Sequence, residues 1–156
     1  MVGLTFANAI YGYDGIHYEE FKNSKAVYRK TFEYIVQRTI RKYFSHPSYY
    51  KINGKPVYML FDIPNFVSGL GGVEEAKRAL DYFRERTVAA GFPGLELQVS
   101  VKTAKGYLDK KLDDNTTVLQ FINEAGFDGG ALYMECGTGQ SREIKEMFDS
   151  SNNYLE

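Results

Sequence analysis

Four short apolar runs, each set apart from the next by a stretch whose apolar residues recur at three- and four-residue steps, limit what this chain can become. The runs cover residues 3–7, 56–62, 95–101 and 130–135. Strand and helix alternating four times, without an internal repeat or a Pro/Ser-rich linker, is the pattern of parallel β-α units in an α/β fold. All four strands then point the same way. Ligands of such sheets gather at the carboxyl ends of the strands, so the residues just beyond each apolar run are the ones to weigh for function.

The periodic stretches define the helices. The first is expected over residues 24–44, where Val27, Phe32, Ile35, Val36, Ile40, Tyr43 and Phe44 share a stripe. Asn23 or Ser24 can cap it and Pro47 closes it. The second, 73–90, has Glu74 and Glu75 in its first turn and Gly91 as its stop. A short third helix spans 116–125 and ends at Gly126, and a last one begins near Ser141. IPNFVSGLGG reads as a loop and KTAKGYLDKKLDDN as a polar connection. Before the second strand stands Asn53-Gly54, the strongest short-range hairpin signal, with a left arm too short to be a full strand. It reads as a hairpin stub in front of a buried strand, and as scaffold.

Composition removes several classes of function. With 44% apolar and 25% charged residues, 156 residues suit one ordinary globular domain. A net charge of -1 leaves no basic excess for nucleic acid. Cys136 is the only cysteine, and His17 and His46 are the only histidines, so neither a disulfide within the chain nor a metal centre is expected, and no cofactor is indicated. No segment approaches the roughly 18 apolar residues of a membrane span and no leader pattern is visible, so no membrane partner is expected and the cytoplasm is the default compartment. Thirteen tyrosines and 11 phenylalanines stand against no tryptophan, and many of the tyrosines fall near turns. Such side chains join an apolar face to a polar handle, as sugar clefts and ordinary half-buried surfaces both do.

The strand ends offer Asn8, Tyr11, Tyr13, Asp14 and His17 after the first run, Asp62 after the second, Gln98, Ser100 and Lys102 along and beyond the third, and Tyr133 and Glu135 at the fourth. Glycoside cleavage usually takes two carboxylates about 5 to 10 Å apart. Asp62 and Glu135 are the candidate catalytic pair; the plainer reading makes Asp62 a cap and leaves Glu135 solvated. Asn8, Tyr11, Tyr13, His17, Gln98 and Tyr133 form a candidate glycan platform, with packing an equal alternative for the tyrosines. The turn CGTGQS at 136–141 sits where backbone N–H groups can hold phosphate, but its spacing matches neither GxGxxG nor GxxxxGKS.

The run YFSHPSYYKINGKPVYMLFD, followed by GLGGVEEAKRALDYFRERTVAAGFPGLEL, resembles the middle of the glycoside hydrolase family 99-like proteins, the WbsX type. Tyr43-Phe44, His46-Pro47-Ser48-Tyr49 and the segment 52–57 carry the most specific part. The strand end Leu4-Thr5-Phe6-Ala7-Asn8 and Ala125-Gly126-Phe127-Asp128 add weaker matches, with Phe6 where the family usually has Trp. The resemblance implies parallel β-α units forming about half of a (β/α)8 TIM-type barrel, with Asn8 facing sugar hydroxyls. It also implies a later motif close to Glu-Trp-Asn-Glu, which this sequence does not contain.

The expectation is therefore a partial barrel domain over residues 1–156 that derives from a glycoside hydrolase or glycosyltransferase-like parent acting on bacterial polysaccharide or mannose-type glycans. Two alternatives stand beside it. One is a non-catalytic glycan-binding module whose open sheet edges are covered in a homodimer. The other is a phosphate- or nucleotide-binding α/β domain.

Overall fold

A computed structural model describes residues 4–6, 29–102 and 106–133. In chain order these form β1 (Leu4–Phe6), α1 (Arg29–Thr39) running on into a π-helical turn (Ile40–Phe44), β2 (Lys51–Ile52), β3 (Lys55–Leu60), α2 (Ile63–Leu70), α3 (Val73–Ala89), β4 (Glu96–Lys102), α4 (Val118–Glu124) and β5 (Gly129–Tyr133). The helix expected from Ser141 lies outside the described residues.

The strands β1, β3, β4 and β5 lie side by side in that order, every neighbouring pair parallel. They make a curled, half-barrel α/β sheet attended by four helices among the described residues. Their order follows the sequence without reversal, so right-handed crossovers leave every helix on one face. The packing agrees: Phe32 and Val36 of α1, Phe66 of α2, Phe83 of α3 and Phe121 of α4 share one core with Tyr58, Leu60, Leu97 and Val99 of the sheet.

The hairpin stub is where the sequence places it. Asn53 and Gly54 take φ values of +50° and +82°, and the two residues of β2 pair antiparallel with Lys55 and Pro56. A side chain at position 54 would also crowd Pro93, whose Cγ lies 3.2 Å from the point a Cβ would occupy. Tyr49 ties the left arm down by donating its hydroxyl to the Val57 carbonyl at 2.7 Å.

One stretch departs from expectation. IPNFVSGLGG is not a loop: residues 63–70 are helical, with Asp62 as N-cap, Pro64 in the first turn and Gly71 ending the helix at φ +94°. A proline at the start needs no backbone donor and a left-handed glycine suits the stop, so the residues that read as loop punctuation are the two ends of a helix.

Phe83 is the hub of the core. Its ring lies 4.8 Å from Tyr58 and 6.1 Å from Phe32 in edge contacts, and stacks on Phe44 at 5.9 Å. Phe44 reaches it through the π turn. The buried positions of this helix run 32, 36, 39 and then 44, and that last step of five is one π turn. The α4 helix is set by a full capping box between Thr117 and Gln120. At its other end Arg84 of α3 donates to the carbonyls of Ala125 and Gly126 at 2.5 and 2.7 Å, covering acceptors that a helix terminus leaves open.

Candidate functional site

Strand alternation sorts the sheet residues into two sets. Tyr58, Leu60, Leu97 and Val99 face the helices, and the register pairs Tyr58 with Leu97 and Leu60 with Val99. Val57, Met59, Gln98 and Ser100 occupy the opposite face, with Gly129 and Ala131 continuing it on β5. Ser100 is buried and Gln98 half-buried there. A side chain at position 129 would meet Gln98 Nε2 at 3.8 Å, so the glycine leaves ordinary contact distance beside that amide. This face mixes hydrogen-bonding and apolar groups, while the other is almost wholly apolar.

Parallel register brings the ends of β1 and β3 level, with Phe6 opposite Leu60, and those of β4 and β5, with Lys102 opposite Tyr133. Asp62 follows the end of β3. It is buried, and its Oδ1 accepts from the Asn65 N–H at 3.0 Å, so capping α2 is one role it fills. That bond turns the carboxylate towards the helix layer, away from the face that carries Gln98. The two expected site residues thus share the sheet without sharing a face. Tyr133 closes β5 in register with Lys102. Asn8, Tyr11, Tyr13, Asp14, His17, Glu135 and the 136–141 turn lie outside the described residues.

One residue at this rim was not expected from the sequence. Tyr107, in the connection after β4, is 9% exposed and packs into the core, yet its hydroxyl has no well-formed hydrogen bond. The Asp62 carboxylate and the Ile63 backbone N–H are its polar neighbours. Burial pushes the phenol up to about 12 and the Asp62 charge adds to this, while the Ile63 N–H works the other way. Tyr107 is therefore a neutral O–H donor held beside a carboxylate at neutral pH. The sequence does carry a faint signal: Tyr107, Leu108 and Leu112 are the apolar positions of an otherwise polar connection.

The shift has a measurable consequence. The folded value lies above the free phenol's 10.0, so the folded state holds this proton more tightly. The associated stability is whole below pH 10 and is lost as pH rises towards 12, an effect of about 1–2 kcal/mol after allowance for residual solvation. In urea unfolding at pH 9 and pH 11.5, the wild-type chain is expected to lose this much more than Tyr107→Phe. Equal losses would mean that the phenol ionises as freely in the folded chain as in the unfolded one.

Among the described residues no cluster of His, Cys, Asp and Glu could hold a metal ion, and no helix is long and apolar enough to cross a membrane. Comparison with protein-family models, with curated proteins and with solved structures finds no match. What the fold and rim define is an α/β half-barrel sheet with its helices on one face and a carboxylate and a phenol at its carboxyl edge.

Proposed function

We propose that the curled sheet is an arc, about half, of a (β/α)8-type barrel belonging to a glycan-processing protein of the glycoside hydrolase family 99-like kind, acting on bacterial polysaccharide or mannose-type glycans. The observation that carries this reading is the unreversed strand order with every described helix on one face. A doubly wound nucleotide domain covers both faces of its sheet and binds where the strand order reverses. A barrel covers only the outer face and keeps the inner one for packing and ligand. Gln98 and Ser100 supply hydrogen-bonding groups on that inner face, and the most specific part of the family resemblance, residues 43–57, folds as the device that delivers the chain into β3.

Saturation-transfer NMR of the whole chain with mannose oligosaccharides, polysaccharide repeat units and ATP tests the proposal. Saccharides are expected to bind, about fivefold more weakly in Gln98→Ala, and ATP not at all. Binding of ATP alone would overturn it. Asp62→Asn keeps a good helix cap, so turnover lost without a change in melting temperature would assign the carboxylate a catalytic part, and unchanged turnover would leave it a cap.

A second reading rests on the outer strands. Among the described strands β1 and β5 each pair on one side only, and Gly130 and Ala131 are exposed. Open edges invite pairing with another chain, so a homodimer that closes the arc is the alternative. Sedimentation of the purified chain as a monomer at all accessible concentrations would remove it.

A further inference from the structure

A buried hydroxyl without a partner costs stability, and a chain that keeps one usually has a use for it. Tyr107 is such a case: nine-tenths buried, its O–H unpaired, at the rim where Asp62 and the first turn of α2 meet. The Ile63 N–H is one of the donors that a helix start leaves without an intrahelical acceptor, and the residue after it, Pro64, has no N–H at all. A donor hydroxyl, a carboxylate and a backbone N–H therefore converge on one small region. Phosphate or carboxylate ligands do not suit it, because the fixed Asp62 charge repels them. A neutral hydroxyl does: it donates to the carboxylate and accepts from the phenol in the same pose.

We propose that Tyr107, Asp62 and the Ile63 N–H form a subsite for one alcoholic hydroxyl of a neutral polyol ligand, Tyr107 O–H donating to that oxygen and the oxygen's own proton going to the Asp62 carboxylate. The chemistry asks only for a hydroxyl; that the hydroxyl belongs to a saccharide rests on the glycan reading. Entry is from the side of Gly106, an exposed residue with open space beside its Cα.

The test is a titration of the whole chain, its tyrosine rings labelled with carbon-13, with methyl α-mannoside and separately with glycerol. The Tyr107 ring signal is assigned by its disappearance in Tyr107→Phe. The expected result is a shift of that signal with either probe, a rise in Kd of about five- to tenfold in Tyr107→Phe, as one neutral hydrogen bond allows, and a melting temperature for that variant equal to or above wild type. A shift with glycerol and none with the mannoside keeps the subsite and sinks its saccharide occupant. Mannoside binding that is unchanged in Tyr107→Phe sinks the subsite and keeps the glycan reading. No Tyr107 shift with either probe, or a clear loss of stability in Tyr107→Phe, overturns the subsite, the latter because the hydroxyl then has a structural partner such as an enclosed water.

Discussion

Phe83→Ala is expected to lower the free energy of unfolding by about 3–5 kcal/mol, the range for removing a fully enclosed phenylalanine from a core that cannot close the gap. The size of the effect comes from position. Phe83 is 1% exposed and touches rings from three other elements, Phe32 of α1, Phe44 of the π turn and Tyr58 of β3. Each of those contacts contributes beyond area burial, because edge and stacked ring pairs carry their own electrostatic preference. No single neighbour can move into the space without giving up another contact. Domains of this size have only about 5–15 kcal/mol in total, so the variant is left marginal. Its melting temperature should fall by about 10 °C or more. Leucine at the same place keeps much of the volume and should recover roughly half. A fall of only a degree or two in Phe83→Ala would show that the helix layer is not organised around this ring.

The second large effect is expected at the opposite end of the sheet. Asp128 and Leu97 are joined twice: the Asp128 N–H donates to the Leu97 carbonyl at 2.8 Å, and Asp128 Oδ2 accepts from the Leu97 N–H at 2.9 Å. Lys55 Nζ stands 4.0 Å from the other carboxylate oxygen and 3.9 Å from Glu96. The carboxylate thus fixes the entry of β5 against β4, next to the hairpin that fixes β3. Asp128→Ala removes the acceptor of a part-buried N–H, and hydrogen bonds to charged groups contribute about 1.5–3 kcal/mol, so a loss of about 2 kcal/mol follows. Asp128→Asn keeps an acceptor and should lose about half of that. Hydrogen exchange separates this from a general weakening: the amides of β5 should exchange faster by more than those of β3. Uniform acceleration over both strands would contradict a local role.

How far the sequence discloses this molecule depends on whether a feature is local. The parallel alternation, the hairpin stub, and the stops at Gly91 and Gly126 all rest on short-range chemistry, and the structure has them, with φ of +92° and +65° at the two glycines. α2 was missed for a local reason as well: Asp62, Pro64 and Gly71 were each taken as turn residues, although at that spacing they frame two helical turns whose Phe66, Val67 and Leu70 face inward. Tyr107 is a different matter. Nothing within a few residues of it says that its ring enters the core or that its hydroxyl ends beside Asp62, 45 positions earlier, because that meeting is created by the crossover from β4. The same holds for Gln98 and Asp62. Both stand at strand-end positions in the sequence, and only the bend after Leu60 with the cap on Asn65 directs one of them to the other side of the sheet.

The five-residue step from Thr39 to Phe44 makes the first helix a keyed part. Had the spiral kept its usual pitch, the inward place near its end would fall to Tyr43, whose hydroxyl would then have to be accommodated among bare hydrocarbon rings. The single surplus residue rotates the chain past that option, and in the same stroke aims the His46-Pro47 bend at the sheet. Trimming the insert to tidy the helix would misdirect everything downstream of it.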